Sequence, residues 1–148
     1  MTSKSKKFKM NRRTADRLKD ELVARIQKWN ADPKHSYAID RAVIFGSYVN
    51  EPDWTEISDL DVATHLICRY EGELRQKKMM AERDNLIREF SSYSQYDPYT
   101  ACYRATIVSL RAGSHYISMH RLDTDDEAIF SKKYLELDVG DIVKEAQE

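Results

Sequence analysis

Two short segments of the sequence carry groups that suit phosphate chemistry. Gly46-Ser47 ends the apolar run of residues 42–45, and Asp59-Leu60-Asp61-Val62 follows after an interval of eleven residues. A glycine at the end of a strand lets the backbone approach a ligand closely, and exposed backbone N–H groups next to a serine hydroxyl suit a phosphate oxygen. The first segment therefore predicts a turn that binds the phosphates of a nucleotide.

The second segment suits a divalent metal ion. Residues at i and i+2 of a strand project from the same face, so the carboxylates of Asp59 and Asp61 can reach one ion. Mg²⁺ prefers carboxylate oxygens and shares its coordination shell with waters and substrate phosphates. Paired carboxylates that hold two metal ions about 3.5–4 Å apart can organise in-line attack on a phosphoryl centre. Asp59 and Asp61 are therefore predicted to bind the metal.

The combined pattern resembles the nucleotidyltransferase signature of the DNA polymerase β superfamily. That signature is a hydrophobic residue, G-[GS], nine to thirteen residues, and D-x-[DE] between hydrophobic residues. Phe45-Gly46-Ser47 and Asp59-Leu60-Asp61-Val62 match it in residue type and spacing, within residues 41–66. The chain is most similar in organisation to the short, stand-alone members, the minimal nucleotidyltransferases. Separately, the first motif would be an ordinary strand-to-helix turn and the second a pair of solvent-facing acids.

The resemblance implies both an activity and roles for the motif residues. The activity is transfer of a nucleoside monophosphate from an NTP to an acceptor, with release of pyrophosphate and a requirement for Mg²⁺ or Mn²⁺. By carry-over, Gly46 and Ser47 hold the triphosphate, while Asp59 and Asp61 are catalytic and bind the metal. It also implies a polymerase-β-like nucleotidyltransferase fold.

The chain departs from the family pattern at the third carboxylate. Active members carry this acid on a later strand, where it helps to bind the catalytic metal and can deprotonate the acceptor hydroxyl. Residues 104–111 and 115–122, both predicted as strands, contain no acid. Asp123 and His120 are candidates for the missing role, since an imidazole can act as a base near neutral pH. A loop or capping acid and a packed histidine are the ordinary alternatives.

A second departure follows the serine. Small stand-alone members often continue with basic and small residues, whereas this chain has Tyr48-Val49-Asn50-Glu51. Positive charge for a triphosphate would then have to come from elsewhere, and Arg41, Arg104 and Arg111 are the candidates.

Periodicity predicts the elements that position these residues. A helix over about residues 11–32 has an apolar stripe and Asn11 or Thr14 as its cap, and strands are expected at 42–45 and 59–66. A second helix is expected over 73–93, then a hairpin of 104–111 and 115–122, then one or two short helices after 125. This order predicts an α/β or α+β fold with a mixed, mostly antiparallel sheet flanked by helices. Predicted inward residues are Leu86, Ile87 and Phe90 in the second helix and Ile129, Phe130, Leu135, Leu137, Ile142 and Val143 near the end.

Length and charge bound the organisation. The 148 residues fit one domain, predicted over 14–148, after a flexible basic tail at 1–13. The net charge of −1 disfavours nucleic acid as the partner. No apolar stretch approaches the ~20 residues of a spanning helix, and no secretory signal is evident, so the expected location is the cytoplasm, away from membranes. Cys68 and Cys102 are interpreted as small hydrophobic residues.

Three functional hypotheses remain open. The first is a nucleotidyltransferase with an unknown acceptor, a protein or a small molecule, bound with help from a partner protein or a second copy of the chain. The alternative is a catalytically impaired nucleotide-binding or antitoxin-like partner-binding module of the same fold. An RNA-binding accessory domain that uses the basic tail ranks last.

Overall fold

The computed structural model describes residues 9–51, 53, 55–122 and 126–145. Over these residues the fold is α+β, with five α-helices and two mostly antiparallel sheets. In chain order the elements are β1 (Met10–Asn11), α1 (Arg12–Ala31), β2 (Tyr37–Phe45), α2 (Ser47–Asn50), β3 (Glu56–Ile57), β4 (Leu60–Cys68), α3 (Gly72–Glu89), a 3-10 helix (Ser91–Gln95), α4 (Pro98–Arg111), β5 (Ile117–Arg121), α5 (Glu127–Phe130) and β6 (Leu135–Glu136).

The larger sheet has the strand order β5-β4-β2-β6. β2 and β4 pair antiparallel from Tyr37 opposite Cys68 to Phe45 opposite Asp61, and β6 pairs antiparallel with the other edge of β2. β5 pairs parallel with β4, and the crossover this requires is formed by α3 and α4. β1 and β3 form a separate antiparallel pair.

The two faces of this sheet are covered unequally. One face carries Ile44, Leu60 and Val62, which share the main core with Leu22 of α1 and Leu110 of α4. The other face belongs to a smaller cluster of buried residues, with two partly buried rings packed against it. The members of this second cluster are Val43, Ala63, Leu122 and Ile129, with Phe45 and Phe130 at its margin.

The first helix agrees with its prediction. Asn11 is its N-cap, because Asn11 Oδ1 accepts a hydrogen bond from the Thr14 N–H at 2.9 Å. At the other end, α1 stops at Ala31, and Pro33 disfavours helical backbone at the residue that precedes it. The predicted strands also form, although β2 begins at Tyr37 and Asp59 directly precedes β4.

The predicted hairpin of 104–111 and 115–122 is wrong, because the first segment belongs to helix α4. The β-branched residues of that segment suggest a strand. Its start is instead fixed upstream, where the Asp97 side chain accepts from the Thr100 N–H at 2.8 Å and Pro98 occupies the first turn. The helix ends at Ala112, which is left-handed with φ 51°. The buried residues of α4 are helically spaced: Ala101, Cys102, Ala105, Thr106 and Leu110.

The second helix is shorter than predicted. α3 ends at Glu89 and a separate 3-10 helix follows. Its fully buried residue is Met79, whereas Phe90 is 55% exposed rather than inward. Near the end of the chain, Ile129 and Leu137 are buried as predicted, while Leu135 and Val143 are exposed. One short helix, α5, forms after residue 125 as predicted, and the short strand β6 follows it.

The predicted basic tail of residues 1–13 overlaps the folded unit. Met10 is only 3% exposed and pairs with Ile57, and Arg12 and Arg13 begin α1. The folded unit thus includes residues 10–13, while residues 1–8 lie outside the described part. Across the described residues, no helix combines the length and apolar content needed to cross a membrane.

Candidate phosphate and metal site

Gly46 is the point at which the two predicted motifs meet. It follows β2 with φ 77° and ψ −150°, a conformation that is essentially restricted to glycine. A Cβ at this position would lie 2.6 Å from Asp61 Oδ2, well inside contact distance. Two independent constraints therefore require glycine: the backbone conformation of the turn, and the carboxylate that occupies the space of a side chain.

Strand register brings Asp61 to this turn. Phe45, the last residue of β2, lies opposite Asp61 in the antiparallel pair. Asp61 is part-buried and shares the less covered face of the sheet with Ala63, as the alternation of the motif predicts. Asp59 is also part-buried and directly precedes β4, whose first residue is anchored by a 2.7 Å bond from the Leu60 N–H to the Tyr116 carbonyl.

The residues after Gly46 form a fixed short turn. Ser47 begins α2, and its hydroxyl lies 3.5 Å from Glu51 Oε1, a long hydrogen bond. The Asn50 backbone N–H donates to the Gly46 carbonyl at 2.9 Å, and the Asn50 side-chain amide donates to the same oxygen at 3.1 Å. Ser47 is thereby held beside Gly46, with its hydroxyl only weakly engaged.

Tyr48 has a structural role in the turn. Its hydroxyl donates to Asp16 Oδ1 of α1. Burial, and then the hydrogen bond to the Asp16 carboxylate, raise the pKa of Tyr48. Tyr48 therefore stays neutral and ties α2 to α1.

β5 brings a histidine to the aspartate. Its parallel register places Ser118 beside Asp61 and His120 beside Ala63. His120 Nε2 lies 3.4 Å from Asp61 Oδ1 and 3.0 Å from Ser118 Oγ, and its ring meets the Phe45 ring edge-on at 5.1 Å. Of the two candidates for the third carboxylate, His120 thus contacts Asp61, and Asp123 lies outside the described residues.

Asp59 and Asp61 are the acidic residues of the second motif. Among the described residues, no group of three or more His, Cys, Asp or Glu side chains is arranged to hold a metal. The two aspartates supply carboxylate oxygens, and Mg²⁺ is commonly held by one or two carboxylates together with substrate phosphates. Asp61 Oδ2 lies directly beside the Gly46 turn, so it is the carboxylate oxygen that this geometry would offer to a metal ion.

The three arginines predicted as compensating charge have other partners. Arg41 binds the Glu136 carboxylate with both Nη2 and Nε, at 2.8 and 3.0 Å, and stacks over Phe130. The Arg104 guanidinium lies 4.8 Å from the centre of the Tyr96 ring, and Arg111 Nε donates to the Ser114 carbonyl. No local sequence signal marks the residue that does approach the turn, Lys133, whose backbone N–H and C=O both bond the Asn50 side chain.

Two cavities lie away from the motifs. One, of about 390 Å³, opens along α3, and a smaller one, of about 240 Å³, lies beside Trp29, with His35 lining both. The larger is lined by Lys34 and Lys78 but also by Glu82, Glu89 and Glu145, so its charges do not favour a phosphate.

The structure brings Gly46, Asp61 and His120 into direct proximity, keeps Ser47 beside the turn, and places Asp59 just before the strand. No protein-family model matches this chain, and no curated protein or solved structure was found to be similar to it.

Proposed function

We propose that the chain is a metal-dependent nucleotidyltransferase with a polymerase-β-like fold. The observation that carries this proposal is the contact at Gly46, where the absence of a side chain lets the Asp61 carboxylate lie against the turn that follows β2. Phosphates seated on Gly46 and Ser47 would then be adjacent to a metal held by Asp59 and Asp61. This adjacency supports the activity implied by the sequence motif.

In the proposed reaction the acceptor hydroxyl attacks the α-phosphorus of the NTP. The new bond joins the acceptor oxygen to that phosphorus, the bond to the pyrophosphate oxygen breaks, and the acceptor proton is released to water. Gly46 and Ser47 hold the triphosphate in line for this displacement. A bound Mg²⁺ or Mn²⁺ supplies positive charge to the phosphates. His120 contacts the Asp61 carboxylate and fixes its orientation beside the turn.

A second candidate function is nucleotide binding without transfer. It is favoured by the composition of β5, which offers Ser118 and His120 beside Asp61 and has no acid. A site with two carboxylates can bind a metal–nucleotide complex and yet lack the group that completes a two-metal centre. Such a module would act through a partner, as an antitoxin-like protein does.

A transfer assay with each of the four α-labelled NTPs, Mg²⁺ or Mn²⁺, and a cell extract as the source of acceptors tests both candidates. Wild type should label an acceptor and release pyrophosphate. Asp59→Asn and Asp61→Asn should lower the rate at least ~100-fold, because each removes a metal-binding charge. The matched control is Asp84→Asn, an exposed acid on α3, which should leave it unchanged.

The outcomes separate the candidates. Metal-dependent NTP binding by wild type without labelling of any acceptor would favour the binding module. Transfer that persists in both Asp59→Asn and Asp61→Asn would refute the proposed enzyme.

A further inference from the structure

We propose that Lys133 supplies the positive charge that meets the triphosphate, and that Asn50 is the residue that positions it. This inference rests on the proposed function, because it assigns a residue to the same nucleotide site. It identifies the triphosphate itself, rather than the base or the sugar, as the part of the ligand that Lys133 recognises.

The side chain of Asn50 joins the phosphate turn to residue 133. Asn50 Nδ2 donates to the Gly46 carbonyl at 3.1 Å and to the Lys133 carbonyl at 2.9 Å, and Asn50 Oδ1 accepts from the Lys133 N–H at 3.1 Å. Donors and acceptor of the amide are thus all engaged, which fixes its orientation. The backbones of Gly46 and Lys133 are held on either side of one amide group.

The charge of the proposed triphosphate complex favours a cation at the turn. Asp59 and Asp61 are acidic, and Glu51 lies beside the Ser47 hydroxyl. A triphosphate adds several negative charges, and a single divalent ion leaves much of this charge unopposed. Phosphate sites in proteins commonly include lysine or arginine side chains that form charge-assisted hydrogen bonds.

Lys133 is the basic residue best placed for this task. Its side chain is exposed and forms no ion pair with the residues that the structure describes. In the proposed arrangement, the flexible four-carbon stem of Lys133 extends from beside the Asn50 amide toward phosphates on Gly46 and Ser47. Arg41, by contrast, is already neutralised by Glu136.

The neighbouring Lys132 provides a matched control. It has the same charge and is also exposed. Its backbone N–H, however, bonds the Ile129 carbonyl at the end of α5 rather than Asn50. Substitution of either lysine by alanine leaves the backbone hydrogen bonds in place, so both variants should fold.

Binding of inorganic tripolyphosphate and of the four NTPs, each with Mg²⁺, is to be measured by titration calorimetry. Lys133→Ala should weaken binding of tripolyphosphate and of the preferred NTP ~10-fold or more, the effect of one charge-assisted hydrogen bond. Lys132→Ala should change it less than ~2-fold, and Lys133→Arg, which keeps the charge, should restore most of the affinity.

Comparison with Asp61→Asn separates the assignment of Lys133 from the proposed function of the whole site. If binding is lost in Asp61→Asn but unchanged in Lys133→Ala, the assignment of Lys133 is wrong and the proposed function stands. If wild type binds neither tripolyphosphate nor any NTP, both fail. Equal losses in Lys132→Ala and Lys133→Ala would also refute the assignment, since they would indicate only general electrostatic attraction.

A double-mutant cycle tests the positioning role of Asn50. Asn50→Ala should weaken tripolyphosphate binding in the wild-type background but have little further effect in Lys133→Ala, because both changes remove the same interaction. A purely structural loss would lower binding in both backgrounds by the same factor, and that result would refute the positioning role.

Discussion

At the residue scale, Gly46 links local backbone geometry to the chemistry of the site. Its φ of 77° is a property of the turn, and the 2.6 Å approach of Asp61 Oδ2 to its absent Cβ is a property of the strand pairing. A motif that requires glycine for two different reasons tolerates no other residue. The carboxylate of Asp61, in the D-x-D motif, therefore excludes any side chain at position 46.

Gly46→Ala is expected to destabilise the protein by about 1–3 kcal/mol from backbone conformation alone, with a further loss from the contact with Asp61. Urea denaturation measures the free energy of unfolding. Gly72→Ala is the control, since Gly72 also has positive φ, at 62°, but a Cβ added there would meet nothing within 4 Å. If Gly46→Ala costs no more than Gly72→Ala, the close approach of Asp61 has no energetic effect.

The contact itself is isolated by an Asp61→Ala background. There the carboxylate is gone, so Gly46→Ala should be less costly than in wild type. Equal costs in the two backgrounds would mean that only backbone conformation matters. This pair of measurements is independent of any nucleotide, so it tests the geometry of the site separately from its function.

At the element scale, the sequence predicts what is set by neighbouring residues and fails where distant contacts decide. The cap of α1 at Asn11 and the two motif strands follow from short-range patterns. Residues 104–111 look strand-like because Thr106, Ile107 and Val108 are β-branched, but packing against α3 and the sheet makes them helical. Asp97-Pro98 follows the 3-10 helix and begins α4. The sequence predicts the break at this position, but the capping role of Asp97 is recognised only from its hydrogen bond with the Thr100 N–H.

The candidate site divides in the same way. The types and spacing of Gly46, Ser47, Asp59 and Asp61 can be recognised from the sequence alone, although their roles remain predictions. The Asn50–Lys133 contact spans 83 positions and depends on how the segment after α5 returns to β2. Nothing in the local sequence marks such a contact.

Helix α3 is joined to the α1–β2 connection by a carboxylate whose contribution to stability depends on pH. Glu82 accepts hydrogen bonds from the Ser36 N–H at 3.1 Å and from His35 Nδ1 at 3.4 Å. Burial acts to raise the pKa of Glu82, but the hydrogen bonds from His35, Cys102 and Ser36 outweigh it, and the pKa is lowered from its ordinary value of 4.5.

Because the folded-state pKa is the lower one, Glu82 stabilises the protein above pH 4.5, and this contribution is lost as the pH falls through the folded value. Glu82→Gln should therefore lower the free energy of unfolding at neutral pH by about 1–3 kcal/mol. The difference from wild type should shrink in acid. Other charged groups lie nearby: His35 also faces Asp32, and Lys34 and Lys78 line the cavity along α3 together with Glu82. These groups are present in both wild type and Glu82→Gln, so they do not account for a difference between the two.

Urea denaturation of both proteins between pH 7 and pH 3 measures this dependence. Glu89→Gln, an exposed carboxylate on the last turn of α3, is the control and should follow the wild-type curve. A Glu82→Gln deficit that is the same at every pH would show that the loss arises from packing and not from the ionised carboxylate.

At the scale of the whole molecule, one buried arginine joins the end of the chain to the first half of the fold. Arg69 is fully buried, and it follows β4 directly. Its guanidinium donates to backbone carbonyls of α1, of the connection to β2 and of the C-terminal segment. The four acceptors are the carbonyl oxygens of Trp29, Asn30, His35 and Val143.

This arrangement differs from an ion pair, since the charge is dispersed over carbonyl dipoles. Burial lowers the pKa of Arg69, yet a guanidinium remains protonated in proteins and keeps its five N–H donors. Two of its partners, Trp29 and Asn30, are at the end of α1, where unsatisfied carbonyls give the helix a negative end. Arg69 thereby satisfies a helix terminus and fastens the segment around Val143 with the same group.

Arg69→Met keeps much of the side-chain volume but removes the donor to the His35 and Val143 carbonyls, while the Trp29 and Asn30 carbonyls keep only the backbone N–H groups of Asp32 and Val143. The expected cost is about 3 kcal/mol or more, because each buried unsatisfied group costs about 1–3 kcal/mol. Arg69→Lys should be intermediate, since a single ammonium cannot match the geometry of a planar fork. Arg88→Met, on the exposed face of α3, should change stability by less than about 0.5 kcal/mol.

Two measurements distinguish a global from a local effect. Urea denaturation gives the total loss, and hydrogen exchange gives the protection of the Val143 N–H, which donates to the Asn30 carbonyl at 2.9 Å. We expect protection of the Val143 N–H to fall further than that of the β2–β4 core. The reason is that Arg69 Nη1 donates both to the Val143 carbonyl and to the Asn30 carbonyl, which accepts from this N–H. If Val143 and the central strands lose protection equally, Arg69 stabilises the fold as a whole without a separate role in fastening this segment.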